Sequence, residues 1–297
     1  MAKPIVKWAG GKSKLLGPLC ERVPTTVRTY AEPFAGGAAL FFALADDPSH
    51  SFERAVLADQ NEDLIACYRA VRDDVEAVIA ALSDYAYDEE VFYRVRDQDP
   101  RPMTDAARGA RLIFLNRTCF NGLWRVNRSG KFNVPFGRYT NPKILDADGL
   151  RAASAALAKA EVLAVDFAEV TRTLGPGDFA YFDPPYVPLS KSSSFTAYAR
   201  DGFGPADQDR LAAELGRLKA VGVAAMLSNV DTPATRELYR DFSIHLATAP
   251  RSINSQASGR GHVGELIVTS WGPPGVQGGD APAAAHAERS ARVTPRS

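Results

Sequence analysis

The chain has 297 residues, 45% of them hydrophobic, which suffices for one large domain with an insertion or for two domains. The chain contains no run of about 18 apolar residues that could span a membrane, and its lysine-rich N-terminus lacks the apolar core of a secretory signal. The three cysteines and four histidines form no metal-site pattern. We therefore expect a cytoplasmic protein with reduced thiols. Lys plus Arg and Asp plus Glu number 35 each, and this zero net charge argues at first sight against a nucleic-acid partner.

The first motif is a glycine pair between an aromatic residue and two lysines, Trp8-Ala-Gly-Gly-Lys12-Ser-Lys. A phosphate-binding loop would need glycine at position 6, where Val6 stands, so a nucleoside triphosphatase is not indicated. The two glycines would let the backbone approach a ligand closely, and Lys12 could reach a carboxylate, that of a methionine being one candidate. A plain N-terminal turn is the alternative interpretation.

Residues 30–42 predict a strand, a glycine turn at Gly36 and the start of an apolar helix. Such turns suit nucleotide-like ligands, because the helix N-terminus offers N–H groups and no side chain blocks the approach. A second strand, residues 54–59, ends in Asp59, and in dinucleotide-type folds this spacing places a carboxylate on ribose hydroxyls. Asp59 could instead cap the following helix, and the absence of Gly-x-Gly-x-x-Gly disfavours a nicotinamide cofactor.

Helical periodicity predicts two core-facing helices, residues 60–82 and 84–112. Residues 1–20 carry four lysines and residues 106–145 carry eight Lys or Arg residues, and neither segment contains an acid, so the neutral total conceals two basic segments on an acidic body. Within residues 114–139, Arg and Asn alternate with aromatic residues around three glycines, and residues 127–131 suit a hairpin turn. Arg can bind guanine, Asn can bind adenine, and an aromatic ring can wedge between bases, which favours DNA reading over an ordinary polar hairpin.

A buried strand, residues 179–182, leads into Asp183-Pro-Pro-Tyr. Pro184 and Pro185 forbid the strand from continuing, so Asp183 lies at its carboxyl end, the edge of an open α/β sheet where ligands bind. The outward carbonyls of the turn can accept hydrogen bonds from an amino group, and Tyr186 can stack on a flat ring. A strand that ends in a Pro-Pro turn with a capping Asp is the alternative.

The remaining segments complete an α/β pattern. A helix from residue 148 and a strand at residues 161–167 precede the Asp-Pro-Pro-Tyr motif, and this strand ends in Asp166 and Phe167, which could contact the adenine of a cofactor or only close the strand. The later segments are a mobile loop at 191–204, a helix at 206–220, a buried strand at 223–229, closing strands at 244–248 and 265–271 with a polar loop at 251–264, and a disordered tail at 273–297.

Four motifs, taken together, resemble those of the Dam-like family of DNA adenine N6-methyltransferases over residues 4–272. They are Lys-Trp-Ala-Gly-Gly-Lys, Glu-Pro-Phe-Ala-Gly-Gly, Phe-Asn-Gly-Leu-Trp-Arg with Phe-Asn-Val-Pro-Phe-Gly, and Asp-Pro-Pro-Tyr. The resemblance implies an α/β, Rossmann-like methyltransferase with a mixed seven-stranded sheet, formed by residues 1–60 and 155–272. It also implies an inserted helical and β-hairpin DNA-recognition domain at residues 61–154.

The resemblance further implies ligands and site residues. The cofactor S-adenosyl-L-methionine, whose product is S-adenosyl-L-homocysteine, would be lined by Trp8, Lys12, Phe34, Gly36, Asp59, Asp166, Phe167 and Asp183, with Asp59 on the ribose. Double-stranded DNA would meet Lys7, Phe120, Asn121, Leu123, Arg125, Pro135 and Arg138, with Phe120 wedging into the base stack where the family often has tyrosine. The implied target is 5'-GATC, although relatives with other targets share much of the pattern. We expect a monomer, and a cognate restriction endonuclease is a further partner that the family allows.

By the same resemblance the target adenine leaves the duplex, because its amino group is unreachable there. Tyr186 would stack on the base, while the Asp183 carboxylate and the Pro184 carbonyl would accept hydrogen bonds from the amino group and aim its lone pair at the methyl. A methyltransferase acting on cytosine N4, RNA or a protein amide would share the cofactor pocket, but its motif usually begins with Ser or Asn. A catalytically inactive DNA-binding module would keep the hairpin, yet all four residues of the catalytic motif are intact.

Overall fold

The computed structural model describes residues 2–8, 10–12, 15–127, 129–185, 203–247 and 264–277, and an eight-stranded sheet runs through it. The strands are β1 Thr26–Glu32, β2 Ser51–Ala58, β3 Ala160–Leu163, β4 Phe179–Phe182, β5 Ala224–Val230, β6 Ser243–Ala247, β7 Glu265–Thr269 and β8 Gly275–Gln277. The helices are α1 Leu16–Cys20, α2 Ala39–Ala45, α3 Glu62–Asp73, α4 Val75–Ser83, α5 Glu89–Asp97, α6 Asp105–Thr118, α7 Ala147–Leu157, α8 Phe167–Thr171, α9 Pro205–Ala220 and α10 Pro233–Leu238, and a 3₁₀ turn spans Phe120–Gly122.

The strands lie in the order β3-β2-β1-β4-β5-β7-β6-β8. The first five are parallel, and β7 runs antiparallel between β5 and β6. The chain moves outward from β1 to β3 and then returns to place β4 against the other side of β1. This reversal makes the carboxyl ends of β1 and β4 the switch point of the sheet, and open α/β sheets bind ligands in the crevice at such a point. The mixed, Rossmann-like sheet implied by the resemblance is confirmed.

Alternate residues of each strand pack against opposite faces of the sheet, as the two-residue period of a strand requires. In β4, Phe179 and Tyr181 join a core formed with α2, α3 and α6, whereas Ala180 and Phe182 join a second core formed with α8 and α9. Helices therefore cover both faces, which explains why the central strand is a continuous apolar run and could be predicted as buried.

Both long predicted helices are divided. Residues 60–82 form α3 and α4, because Asp74 ends the first helix and caps the second by accepting a hydrogen bond from the Ala77 N–H at 3.0 Å. Residues 84–112 lie in α5 and α6, and the connection at residues 98–104 contains two prolines, which do not continue a helix. The helical periodicity of both segments is therefore confirmed, and each segment contains two helices instead of one.

The chain between β2 and β3 supplies α3 to α7 and a hairpin. In the hairpin, Val126 and Phe132 form an antiparallel bridge, and the Asn127 N–H donates to the Lys131 carbonyl at 2.9 Å. The predicted turn at residues 127–131 is thus confirmed. Buried side chains of α3, α6 and α7 share one core with those of β1 and β2, so this excursion is packed directly onto the sheet.

Strand β8 is a difference from the prediction, which had seven strands and a disordered tail from residue 273. Gly275–Gln277 pairs in parallel with β6, and this pairing supplies backbone hydrogen bonds that the composition of an isolated segment does not reveal. The expected loops at 191–204 and 251–264 fall outside the described residues except at their last positions, as do residues 278–297. No helix within the described ranges has the length and apolar content that crossing a bilayer requires.

Candidate active site

Two buried side chains hold the carboxylate of Asp183, which follows β4 at the edge of the crevice. The Lys12 ammonium lies 2.9 Å from Asp183 Oδ1. The Ser228 hydroxyl, on the neighbouring strand β5, donates to the same oxygen at 3.0 Å. Lys12 is 4% exposed and Ser228 is fully buried, so both groups that contact the Asp183 carboxylate are shielded from water. The sequence-predicted acid is therefore held in one orientation at the end of its strand.

The two prolines after Asp183 lead the chain out of the sheet. Pro184 is buried and Pro185 is exposed. The Pro185 carbonyl accepts a hydrogen bond from the Gln208 side chain of α9 at 3.3 Å, which ties the turn to that helix. Tyr186, the predicted stacking ring, lies outside the described residues, so its role stays a prediction.

Opposing effects act on the Asp183 carboxyl. Burial raises its pKa, the Lys12 ammonium and the Ser228 hydroxyl oppose that rise, and the nearby Glu265 carboxylate adds to it. Glu265 Oε2 lies 3.8 Å from the Lys12 ammonium, so the buried lysine stands between two carboxylates of the protein. The sequence suggested that Lys12 reaches the carboxylate of a ligand, and that contact stays a prediction beside the one seen here with Asp183.

Glu32, at the carboxyl end of β1, is a further buried acid beneath the crevice. It accepts hydrogen bonds from the Tyr30 hydroxyl and from the Phe41 N–H, the latter at 2.8 Å. Burial raises the pKa of Glu32 to about 8; the two hydrogen bonds oppose this rise, and the charge of Asp183 adds to it. Glu32 is consequently protonated at neutral pH, and the floor of the crevice carries less negative charge than its acids suggest.

The glycine turn after β1 meets the ring of Trp8. Gly36 has a φ of +46°, and a β-carbon at this position would lie 2.8 Å from Trp8 Cδ1, so a side chain here would displace the ring. The Gly36 N–H donates to Asp59 Oδ2 at 3.0 Å, and the Gly36 carbonyl accepts from the Tyr68 hydroxyl at 2.8 Å. The structure thus brings together Trp8, Gly36 and Asp59, which the sequence assigned to one cofactor site.

Asp59 supports this turn and is not the cap of α3. The cap is Asn61, whose side chain accepts from the Leu64 N–H at 3.0 Å. Asp59 accepts from the Asn61 N–H at 2.9 Å as well as from Gly36, and burial raises its pKa more than these backbone hydrogen bonds lower it. The helix-cap alternative for Asp59 is therefore wrong, and its contact with a ribose stays a prediction.

Aromatic rings from two strand ends meet beyond the glycine turn. Phe34, after β1, and Phe167, after β3, have ring centroids 5.4 Å apart, and Phe203 meets Phe34 edge-on at 5.5 Å. The Arg210 guanidinium lies 4.7 Å from the centre of the Phe167 ring and pairs with Asp166 at 2.7 Å. Asp166 also caps α8, so Asp166 and Phe167 have local structural roles, and their contact with a cofactor stays a prediction.

The residues predicted to contact DNA lie on the hairpin and on the N-terminal segment beside it. Phe120 is 51% exposed and Leu123 is 37% exposed, and Asn121 between them has a φ of +55°. The Phe120 N–H donates to the Pro135 carbonyl at 2.9 Å, which joins the two sides of the hairpin at this point. Large apolar side chains therefore project from a basic hairpin, as the predicted wedge requires.

Lys7 is fixed against the same hairpin. Asn116 of α6 accepts from the Lys7 N–H at 2.8 Å and donates to the Lys7 carbonyl at 2.7 Å. The Lys7 side chain crosses Gly122, where a β-carbon would lie 2.7 Å from Lys7 Cδ, and its ammonium lies 5.3 Å from the centre of the Tyr139 ring. Lys7 thus joins the surface that carries Phe120 and its neighbours.

Arg125 is held in place by Asn133 across the hairpin. Its Nε donates to Asn133 Oδ1 at 2.8 Å, and its Nη2 approaches the Asn133 carbonyl at 3.5 Å. Arg138 follows on the returning side and is exposed. Sequence reasoning selected Arg125 and missed Asn133, although the hairpin register around residues 127–131 places these two residues opposite each other.

A chain of aromatic rings connects the hairpin with the glycine turn. Trp124 packs on Phe132 of the hairpin at 4.6 Å between ring centroids, and on Trp8 at 6.3 Å with 22° between the planes. Trp8 in turn covers Gly36. The hairpin and the glycine turn, which are far apart in the sequence, are therefore connected by packed aromatic rings. The motifs alone did not indicate this connection.

Three polar residues beside Asp183 were also missed, namely Glu32, Ser228 and Glu265. Ser228 lies near the end of a buried strand, which is the signal that selected Asp183 and could have selected it too. Glu265 begins an antiparallel strand, so only the pairing of β5 with β7 brings it to the same edge. Its place near Lys12 could not be read from local sequence.

Comparison with known proteins adds a family match. The family described as D12 class N6 adenine-specific DNA methyltransferase matches residues 8–253. The Type II methyltransferase M1.LlaDCHI of Lactococcus lactis subsp. cremoris is 41% identical over 278 residues, which cover 91% of this chain and 96% of that protein. The Type II methyltransferase M.MjaIII of Methanocaldococcus jannaschii is 39% identical, with 91% and 99% covered. The DNA adenine methylase of Escherichia coli strain K12 is 33% identical, with 90% and 94% covered.

Proposed function

The chain belongs to the D12 class of N6 adenine-specific DNA methyltransferases, and we propose that it transfers the methyl group of S-adenosylmethionine to adenine N6 within 5'-GATC in duplex DNA, after the base has left the helix. One observation carries this proposal. Asp183 stands at the switch point of the sheet, after the strand next to β1, and Lys12 and Ser228 hold its carboxylate, which makes it a rigid hydrogen-bond acceptor.

The residues along the crevice fit S-adenosylmethionine chemically. Gly36 presents backbone without a side chain, the Asp59 carboxylate accepts from that turn at 3.0 Å, and Phe34 offers a half-buried ring. When bound, this cofactor supplies an electrophilic methyl on a sulfonium, and the protein contributes binding and orientation. The set that we assign to it is Trp8, Lys12, Phe34, Gly36, Asp59, Asp166, Phe167 and Asp183.

Asp183 and the Pro184 carbonyl are the acceptors that we assign to the adenine amino group. Its nitrogen is a poor nucleophile because its lone pair is delocalised into the ring, and two fixed acceptors would localise and aim that pair. Both donors that the described residues bring to Asp183 converge on Oδ1, so we assign Oδ2 to the substrate. Pro185 continues the rigid turn, and Tyr186 is assigned to stacking on the base.

The hairpin supplies the surface that we assign to target reading. Arg125, held at Nε by Asn133, can present its outer guanidinium N–H groups to a guanine. The exposed Phe120 ring suits a wedge that fills the stack beside an extruded base. GATC is the proposed target because relatives that read it share the Asn-Gly-Leu-x-Arg pattern. The set that we assign to DNA is Lys7, Phe120, Asn121, Leu123, Arg125, Pro135 and Arg138.

A methylation assay on defined duplexes tests the proposal. The protein is incubated with methyl-labelled S-adenosylmethionine and a duplex containing GATC, and with duplexes in which each base pair of that site is replaced in turn. We expect adenine N6 labelling of the GATC duplex, a loss on the order of 10- to 100-fold for each replacement that leaves the target adenine in place, and no labelling of a strand whose target adenine has been replaced. Efficient N6 labelling of a different site would retain the family and overturn the target.

Two variants test the assignment of Asp183. Asp183→Ala should lower methyl transfer by on the order of 1,000-fold, far more than it lowers the affinity for cofactor or DNA. Asp148→Ala, which removes a 99% exposed carboxylate on α7, is the matched control and should keep wild-type turnover. Near-normal turnover by Asp183→Ala would remove this residue from the reaction. Extrusion of the base is checked separately with 2-aminopurine at the target position, whose fluorescence should rise when the protein binds.

A further inference from the structure

Tyr181, Ser228 and Asp183 lie on one face of two adjacent strands. In the parallel β4–β5 pair, Phe182 is opposite Leu227, so the next residues, Asp183 and Ser228, are also neighbours. Tyr181 and Asp183 are two residues apart and therefore share a face. The Tyr181 hydroxyl lies 2.9 Å from Ser228 Oγ, and Ser228 Oγ lies 3.0 Å from Asp183 Oδ1.

The direction of the protons along this row follows from its chemistry. The Lys12 ammonium can only donate, so Asp183 Oδ1, which it contacts at 2.9 Å, must be an acceptor. Ser228 carries one proton and gives it to this oxygen. The Ser228 oxygen is then an acceptor, and Tyr181 must be the donor to it. Tyr181 is 4% exposed and Ser228 is fully buried, so water does not compete for either bond.

The two donors on Oδ1 differ in how strongly they define an orientation. The Lys12 ammonium is a point charge on a flexible stem and tolerates rotation of the carboxylate. The Ser228 hydroxyl is fixed by its strand and by Tyr181, so it defines the plane of the carboxyl group. Removing it would let the group turn about its last side-chain bond and carry Oδ2 away from its substrate.

We propose that Ser228, itself oriented by Tyr181, is a positioning residue that fixes the Asp183 carboxylate so that Oδ2 faces the adenine amino group. This inference rests on the function proposed above and gives roles in it to two residues outside the Asp-Pro-Pro-Tyr motif. A displacement of a reacting group by about 1 Å can slow a reaction by about 100-fold. Loss of the Ser228 hydroxyl should therefore lower the rate of methyl transfer itself.

Single-turnover methyl transfer to a GATC duplex tests the inference. Ser228→Ala should lower the rate by on the order of 10- to 100-fold, and Tyr181→Phe by on the order of 3- to 10-fold. The double variant should be no slower than Ser228→Ala, because Tyr181 acts only through Ser228. The KM values for cofactor and DNA should change by less than about twofold, since neither side chain is assigned to a ligand.

The pH dependence of the single-turnover rate is the second readout. The Ser228 hydroxyl lowers the pKa of Asp183, so its removal should move the acidic limb of the profile to higher pH. Lys12, Glu265 and Glu32 also face this carboxyl and remain in both proteins, so the difference between the two profiles reports the hydroxyl alone.

Matched controls separate positioning from loss of fold. Ser243→Ala deletes the same hydroxyl from a serine 2% exposed on β6, and Tyr239→Phe deletes a buried tyrosine hydroxyl after α10; both should keep wild-type rates. Wild-type turnover by Ser228→Ala, or a double variant whose losses multiply, would overturn the inference. An inactive Asp183→Ala beside a normal Ser228→Ala would sink this inference alone, whereas a wild-type protein that transfers no methyl group to the duplex would sink the proposed function itself.

Discussion

The ring of Trp8 lies so close to Gly36 that a β-carbon at position 36 would stand 2.8 Å from Trp8 Cδ1. The same turn is held from the other side by the Asp59 carboxylate and the Tyr68 hydroxyl. Its shape is therefore determined by three side chains from separate parts of the chain, and the absence of a side chain at Gly36 is a structural requirement.

Gly36→Ala should weaken both the turn and the binding of the cofactor. The left-handed backbone and the displaced Trp8 ring should lower the free energy of unfolding by about 1–3 kcal/mol. Affinity for S-adenosylmethionine, measured by calorimetry, should fall at least about tenfold, which corresponds to 1.4 kcal/mol. Gly216→Ala on α9 is the control, because a β-carbon there meets nothing within 4 Å and the helix should gain up to about 1 kcal/mol. Equal behaviour of the two variants would show that the contact with Trp8 is unimportant.

Trp124→Leu should weaken cofactor binding although Trp124 belongs to the hairpin. Its ring supports Trp8, which covers Gly36, so the loss should be transmitted along the stack. We expect this stack to couple the two ligands, so that DNA raises the affinity of the wild type for the cofactor; in Trp124→Leu the enhancement, measured as cofactor affinity with and without DNA, should be smaller. Trp271→Leu removes a 36% exposed indole near Phe179 and serves as the control. An unchanged enhancement in Trp124→Leu would exclude the stack as the connection.

Asn133→Ala should relax base discrimination while leaving the charge of the hairpin intact. Without the Asn133 acceptor, the Arg125 guanidinium loses its fixed orientation, and discrimination at one base pair should fall by about 1–3 kcal/mol, as it should in Arg125→Ala. Lys131→Ala, which removes an exposed cation, should instead weaken binding to all sequences and reduce the salt dependence. Binding to single-site duplexes over a salt series distinguishes the two effects. Discrimination that survives in Asn133→Ala would show that Arg125 does not depend on it.

Glu32→Gln should remove a pH dependence of stability. In the folded protein the pKa of Glu32 is about 8, whereas an unfolded glutamate titrates near 4.5. The folded state therefore binds more protons between these values, and the stability contributed by protonated Glu32 is complete below about pH 4.5 and is lost as the pH rises to about 8. The slope is up to about 1.4 kcal/mol per pH unit.

Denaturant unfolding at pH 5 and pH 9 checks this expectation. The wild type should lose more stability across the interval than Glu32→Gln, because the amide stays neutral at both values. Glu53→Gln on β2, an exposed position, should follow the wild type. Parallel curves for wild type and Glu32→Gln would mean that Glu32 is not the group that titrates.

The sequence was sufficient to predict the parts of the site that depend on local patterns. The run before Asp183 predicts β4 with its observed bounds, and the turn at Gly36 and the acid at Asp59 are adjacent as expected. Ser228 and Glu265 depend on which strands pair with β4 and β5, and pairing is a tertiary property that no local pattern encodes.

The same distinction explains the errors in the predicted elements. The division of the long helices depends on a local cap, Asp74, which was readable in principle and was overridden by apolar periodicity. Strand β8 forms because it pairs with the edge of β6. The composition of residues 275–277 alone gave no indication of this pairing. The hydrogen bonds between Arg125 and Asn133 follow from the hairpin register. The predicted turn residues imply this register, so Asn133 could have been identified from the sequence as the partner of Arg125.

The chain departs from the sheet at the end of β2 and rejoins it on the neighbouring strand β3, so everything assigned to target reading except Lys7 forms one continuous excursion. The strands that carry Asp183 and Ser228 lie outside it. The excursion also carries Tyr68, which holds the Gly36 turn, and α3, α6 and α7, which share the core of the sheet, so these parts would have to stay. A foreign hairpin could replace residues 120–138 between α6 and α7 to redirect target reading, provided that it still presents a flat ring to Trp8. In this architecture, the segment assigned to sequence preference can be exchanged without touching the residues assigned to methyl transfer.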